Sequence, residues 1–152
     1  MAKTYDVAAF QRTAGEAVQK MFIENVTNGR IITGTEKLAQ RFILELMTEK
    51  GSMKFRPTRG TDFVVETRQG TLDSEVDVYS AFSLALLTIK NNLTSEDLAT
   101  DPADEKLDTA SINKIVISPG RFAISITIKT LAGSATTVVV PLVFDINPSG
   151  DN

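Results

Sequence analysis

The sequence predicts an α+β fold: one small domain with two main helices packed on a mainly antiparallel sheet that ends in a C-terminal β meander. Two segments of helical period occupy the middle of the 152-residue chain, and three β-rich runs fill its last third. The length suits one domain that buries its own core. We expect residues 31–146 to form this domain, residues 1–30 an N-terminal arm or small edge element, and residues 147–152 a flexible tail.

The composition narrows the classes of function. The chain has no cysteine and no histidine, so it lacks thiolate chemistry and the commonest general base and metal ligand. A net charge of -3 argues against electrostatic binding of nucleic acid by the whole domain. No signal peptide or membrane-spanning run is predicted. We expect a protein made in the cytoplasm that is not an enzyme, with no cofactor, metal, small-molecule substrate or membrane partner.

The N-terminal thirty residues mix a weak helical pattern with a strand-like one. Asn28 and Gly29 suit the positive φ angles of a tight turn. This pair favours a hairpin between "MFIENV" (21–26) and "RIIT" (30–33), or a small edge element.

The clearest helix lies in "TGTEKLAQRFILELMTEKG", residues 33–51. Thr33 and Glu36 have the spacing of a capping box, Lys50 suits the last turn, and Gly51 is the predicted C-terminal stop. One apolar stripe runs along it through Leu38, Phe42 and Leu46.

A second helix is predicted from about Ser74 to Asn91, behind the start signal "LDS". The polar and acidic segment 94–109 that follows is typical of a surface loop, with one helical turn at its start. The predicted apolar stripe of this helix consists of Val76, Tyr79, Phe82, Leu86, Ile89 and Leu93.

Three β-rich runs, "SINKIVIS", "RFAISITIKTL" and "ATTVVVPLVFDI", predict the antiparallel meander. Apolar residues alternate with polar ones in the middle run, which is the period of a half-buried strand. Pro141 cannot donate a ladder hydrogen bond, so the third run should be an edge strand or bulged. We predict that this edge, at Val139, Pro141 and Val143, binds a partner strand.

Glu45 and Glu49 lie one helical turn apart. Glycosidases use a pair of carboxyl groups, one as the general acid and one as the base or nucleophile. Such groups normally come from separate elements, so we interpret both residues as part of a solvated helix face. A cell-wall hydrolase stays open as an alternative function.

An acidic cluster lies in the predicted loop and raises the question of a calcium site. It has no glycine at the sixth position of a twelve-residue loop, and Pro102 interrupts it. A polar surface loop is favoured over a metal site. The cluster comprises Asp97, Asp101, Asp104, Glu105 and Asp108.

The connector after the first helix, "LMTEKGSMKFRPTRGTDF", is unusually basic for an acidic protein. It has no phosphate-loop pattern and few aromatic residues, so nucleic-acid binding is only an alternative. A solvated loop and a protein-docking loop both fit, and Lys54, Arg56 and Arg59 are the candidate partner-binding residues.

A short motif spans the first helix and the connector: Gln40-Arg41, then Leu46, Thr48 and Gly51, then Gly60. With the order of elements around it, from Ile31 to Phe144, it resembles the sheath-initiator or baseplate-wedge family of contractile-tailed bacteriophages. Relatives of that family include a type VI secretion baseplate subunit, and some members are labelled lysozyme-like.

The resemblance implies a structural role in the virion, at the tail baseplate, where such proteins initiate the sheath through a sheath-like β edge. The implied partners are the tail sheath protein, other baseplate wedge proteins and tail tube or tube-initiator proteins. Many family members carry a Glu-Pro-Arg wedge contact after the second helix. This chain has "ATDPADEKLD" there instead.

Overall fold

The computed structural model describes residues 6–7, 11–12, 19–20, 31–118 and 121–143. Within them, three α-helices and a three-stranded antiparallel sheet confirm the α+β class. A 3₁₀ turn, Ala103–Glu105, precedes the sheet. The helices are α1 (Gly34–Met47), α2 (Phe63–Arg68) and α3 (Glu75–Glu96), and the strands are β1 (Asp6–Val7), β2 (Gln11–Arg12), β3 (Gln19–Lys20), β4 (Ile31–Ile32), β5 (Leu107–Ser118), β6 (Arg121–Thr130) and β7 (Ala135–Val143).

The sheet has the order β5-β6-β7, as the predicted meander requires. In β6 the alternating residues Phe122, Ile124, Ile126 and Ile128 are buried on one face, whereas the residues between them are half-buried on the other. Pairing of β6 with β7 runs without a shift through Pro141, which lies opposite Ala123. Pro141 is therefore accommodated in an edge strand, and no bulge is needed.

The helices form a second layer on the buried face of the sheet. α1 contacts β6, β7 and α3, and α3 also contacts β5. Three rings join the helices: Phe42 of α1 lies 6.3 Å from Phe82 of α3, and Phe63 of α2 lies 6.5 Å from Phe82, centroid to centroid. The sequence pattern did not predict α2, whose buried Phe63 closes this cluster.

The start of α3 is as predicted, but its length and its buried face are not. Ser74 and Asp77 form a capping box, and the helix continues to Glu96, beyond the expected end at Asn91. Val76 and Tyr79 were expected in the core but are 70% and 43% exposed. The buried face of α3 is a different one from the predicted stripe, and two of its residues are small alanines. It is formed by Val78, Ala81, Phe82, Ala85, Ile89 and Leu93.

The stripe of α1 is buried as predicted, but both of its ends differ from the prediction. Thr33 makes no side-chain capping bond; instead Gly34 N donates to Glu105 Oε1 at 3.3 Å. The helix ends at Met47, so Lys50 and Gly51 lie in the following turn. Thr48 is extended there because its carbonyl accepts a hydrogen bond from Thr61 N.

Two other predictions need correction or lie partly outside the described residues. Ile31–Ile32 pairs with Asp6–Val7, while the segment 21–26 expected beside it is not among the described residues. The acidic segment is shorter than predicted, since β5 already begins at Leu107. The tail 147–152 also lies outside the described residues. In the described ranges, no helix has the length and apolar character needed to cross a bilayer.

Candidate partner-binding surfaces

The basic connector is a loop whose two ends are tied together. Thr61 N donates to Thr48 O at 2.8 Å, and Lys50 N donates to Thr61 O at 3.2 Å. Thr61 is buried, and its hydroxyl donates to Leu46 O at 3.0 Å at the end of α1. These bonds fix the loop on the body of the domain, although residues 51–58 are exposed.

The two motif glycines of this loop have different roles. Both have positive φ angles, 82° at Gly51 and 86° at Gly60. A Cβ at Gly60 would lie 2.3 Å from Thr48 O, whereas one at Gly51 would meet no atom within 4 Å. Gly60 is therefore required by the close approach of the two loop ends, and Gly51 only by its backbone angle.

Glu45 is buried beneath the loop, so the expectation that it belongs to a solvated face is wrong. Its carboxylate accepts hydrogen bonds from Gly60 N at 2.9 Å and Asn92 Nδ2 at 3.2 Å, and it forms an ion pair with Arg59. A buried carboxylate needs such donors to offset its lost hydration. Gly60, Asn92 and Arg59 therefore already occupy the carboxylate oxygens of Glu45, which a general acid would have to present to a substrate. Glu49 is exposed, as predicted, and pairs with Arg68.

Arg59 was expected to be a surface cation, but its side chain is only 20% exposed. It lies between Glu45 and Glu96 and forms an ion pair with each. Arg56 reaches the same oxygen of Glu96, Oε1, at 3.0 Å, and its side chain is 66% exposed. The burial of Glu45 explains the difference, because a cation that neutralises a buried carboxylate must itself leave most of its water.

The outer tip of the loop presents an aromatic ring beside a cation. Phe55 is 89% exposed, and Lys54 Nζ lies 5.7 Å from the centre of its ring. Met53 is 47% exposed on the same turn. We define Met53–Arg56 as the connector tip. Sequence reasoning singled out its cations and missed Phe55 and Met53 as exposed groups, although a large apolar pair inside a turn-rich segment is a signal of that kind.

The remaining motif residues hold the domain together. Gln40 is buried and donates to Asp6 Oδ2 at 3.2 Å, which joins α1 to the N-terminal strand β1. Arg41 donates to Asp97 Oδ1 at 3.1 Å and so ties α1 to the end of α3. Leu46 is in the core, and Thr48 closes the loop as described above.

Within the described part of the chain, the sheet has an edge on each side, at β5 and at β7. Of the predicted partner-binding residues, Val139 is half-buried and Pro141 is exposed; the side chain of Val143 is not among those described. β3 lies beside β7 without pairing with it. On β5, Val116 and Ile117 are 44% and 50% exposed.

The acidic residues of the predicted loop that are named here each contact a different partner. Asp97 pairs with Arg41, and Asp101 Oδ2 accepts Leu98 N at 2.8 Å. Glu105 is buried and forms an ion pair with Lys37 at 2.9 Å. Among the described residues no group of three or more carboxylates is placed to hold a metal ion.

No protein-family model, curated protein or solved structure matches this chain. A function for it must therefore be proposed from its residues and their geometry.

Proposed function

We propose that this protein is a structural subunit of a bacteriophage contractile-tail baseplate that initiates sheath assembly. It offers a sheath-like β edge to the first ring of sheath subunits and binds wedge and tube proteins through its other surfaces. The motif of α1 and the connector supports the choice of family, and the geometry of the sheet supports the mode of assembly.

The observation that carries the proposal is that, among the described residues, no strand pairs with the outer side of β5 or of β7. The helices cover one face of this three-stranded sheet, so a strand of another chain can pair with an edge while the core stays intact. In β7, the N–H groups alternate between β6 and the outer edge. Pro141 has no N–H group and interrupts no β6 pairing, so we assign its nitrogen to the outer side. Val139, two residues away, then directs its N–H outward to a partner strand.

The connector tip supports a second contact, with a wedge or tube protein. An aromatic ring that is 89% exposed is costly to hydrate, and a cation beside it adds an electrostatic preference for an acidic partner. Because the loop ends are fixed to α1, this surface is presented in one orientation. Such preorganisation reduces the entropy lost on binding.

Sheath nucleation on purified baseplates tests the proposal. Baseplates assembled with the wild-type chain should nucleate sheath polymerisation, and baseplates lacking the chain should not. Val139→Pro should incorporate but nucleate poorly, because it removes an outward donor without removing a β6 ladder bond. The exposed variant Ser134→Ala in the β6–β7 turn serves as the control. Normal nucleation on baseplates that lack the chain would refute the proposed function.

A further inference from the structure

The two edge strands of the sheet differ in how regularly they pair with the central strand. β7 pairs with β6 along its whole length without a shift in register. β5 pairs with β6 through two shifts, and at each of them β5 has one residue more than β6. The extra residues are Asp108 and Asn113, which have no partner residue in β6. Each shift is therefore a β-bulge, which interrupts the regular spacing of the backbone N–H and C=O groups along β5.

The amino-acid sequence of β5 explains both bulges. Leu107 and Ala110 are both buried in the core, although they are three residues apart. Ile112 and Ile115 both pack against the same core, and they are also three residues apart. In a regular strand such pairs would point to opposite faces of the sheet. One extra residue within each interval returns the second apolar side chain to the buried face.

Contacts outside the strand pairing hold each bulge in place. Lys90 of α3 donates through Nζ to Asp108 O at 2.7 Å. Asn113 Nδ2 donates to Thr127 Oγ1 of β6, which shares a hydrogen bond of 2.9 Å with Thr137 Oγ1 of β7. The first bulge is thus joined to the helical layer, and the second is joined across the whole sheet.

The far end of β5 combines exposed apolar residues with a lysine. Val116 and Ile117 are 44% and 50% exposed and lie in the run "KIVIS", which has strong β propensity. Lys114 is exposed at the start of this run, next to the second bulge. A lysine on an edge strand opposes pairing, because a neighbouring strand would remove water from its ammonium group. β7, by contrast, contains no charged residue.

We propose that Asp108, Asn113 and Lys114 close the β5 edge to strands of other chains and so leave β7 as the edge at which a strand can be added. Between the bulges only residues 109–112 keep regular spacing, and Lys114 obstructs residues 114–118 beyond them. A sheet that accepted strands at both edges could join copies of itself into open-ended assemblies. The proposed function concerns β7, whereas this inference concerns β5 and holds whether or not the protein belongs to a baseplate.

Replacement of Lys114 in the purified chain tests the closure. Lys114→Val should let residues 114–118 pair with a second copy of the chain. The outward amides of β5 should then exchange with solvent at least about fivefold more slowly when the protein concentration rises from micromolar to millimolar. Amide-resolved hydrogen exchange by NMR measures this change. In the wild type, exchange at these amides should not depend on concentration.

Lys129→Val is the matched control for Lys114→Val. Lys129 is also exposed, and its replacement changes the net charge equally, but it lies on the central strand β6, which has a neighbour on each side. Exchange in this variant should follow the wild type. The same concentration dependence in the two variants, or concentration-dependent protection of β5 in the wild type, would overturn the inference.

Deletion of Asp108 and Asn113 together tests the bulges. The deletion leaves every paired residue of β5 opposite its present partner in β6 and restores a strict alternation of faces, so the strand should still form. We expect the straightened edge to show the same concentration-dependent protection as Lys114→Val. A deletion variant that keeps the wild-type circular dichroism spectrum but shows no such protection would overturn the role of the bulges. If the deletion variant does not fold, the comparison of Lys114→Val with Lys129→Val decides the inference.

Discussion

Arg59 forms an ion pair with Glu45, and the pair links the end of the connector to a buried carboxylate of α1. The same carboxylate accepts Gly60 N and Asn92 Nδ2, so one buried group holds α1, the connector and α3 together. The connector is therefore anchored by Arg59 while it presents Phe55 and Lys54 at its tip. In this basic segment one cation stabilises the fold, and its neighbours remain on the surface.

Replacement of Arg59 should destabilise the domain. Arg59→Met leaves Glu45 buried with two neutral donors, and removal of one partner of a buried pair costs about 3–5 kcal/mol. Because the Arg59 side chain is 20% exposed, water partly replaces it and we expect a loss of roughly 2–3 kcal/mol. Urea unfolding followed by circular dichroism measures this loss.

Arg56→Met is the matched control for the same measurement. Arg56 is 66% exposed and pairs only at the rim of the network, with Glu96, so its removal should cost less than about 1 kcal/mol. Equal losses in the two variants would show that the burial of Glu45 does not set the cost.

The fold class was accessible from the sequence because period and capping are local properties. The alternation in β6 and the start of α3 at Ser74 each depend on neighbouring residues, and both predictions are confirmed. The buried face of α3 was not accessible in the same way. Its outward face carries Leu84 and Leu87, so the apolar pattern is not confined to one side. Only contact with α1 and the sheet selects the face that is buried.

Substitution of Gly60 should be far more costly than substitution of Gly51. Both residues need a positive φ, for which an alanine pays about 1–2 kcal/mol. At Gly60 the new Cβ would also lie 2.3 Å from Thr48 O, so the pairing of Thr48 with Thr61 must open. We expect Gly60→Ala to cost at least about 3 kcal/mol in urea unfolding.

Gly51→Ala measures the cost of the positive φ angle alone, because no atom lies within 4 Å of the Cβ position of residue 51. It should cost about 1 kcal/mol. The idea that the loop closes tightly at Gly60 would be wrong if the two alanine variants unfolded at the same urea concentration.

The N-terminus of α1 provides a third prediction, because its cap comes from a distant residue. Glu105→Ala removes the acceptor of Gly34 N and the partner of Lys37, and the site is buried. We expect a loss of about 2–3 kcal/mol in thermal or urea unfolding. Thr33→Val, at the position that the sequence suggests as the cap, should cost less than about 0.5 kcal/mol because the Thr33 side chain makes no capping bond. A larger loss in Thr33→Val than in Glu105→Ala would show instead that Thr33 caps α1, as the sequence predicts.

The candidate site shows why long-range pairings escape sequence reasoning. Glu45 and Arg59 belong to segments that were interpreted separately, one as a solvated helix face and the other as a docking loop. Their pairing depends on the return of the chain at Thr61 to the end of α1. No local pattern encodes that return. By contrast, an edge strand or a bulge at Pro141 follows from the chemistry of proline alone, and the sheet order and unshifted pairing show the edge strand.

The connector tip gives the last prediction, which separates binding from folding. Phe55→Ser should leave the melting temperature unchanged, because the side chain is 89% exposed and exposed substitutions rarely change stability by more than about 0.5 kcal/mol. The same variant should reduce incorporation into baseplates in a competition with wild-type protein, quantified by mass spectrometry. Leu131→Ser, on the β6–β7 turn and 59% exposed, controls for the loss of any surface apolar group. If Phe55→Ser and Leu131→Ser compete equally with the wild type, the tip is ordinary solvated surface, and the connector serves only to hold α1 and α3 through Glu45.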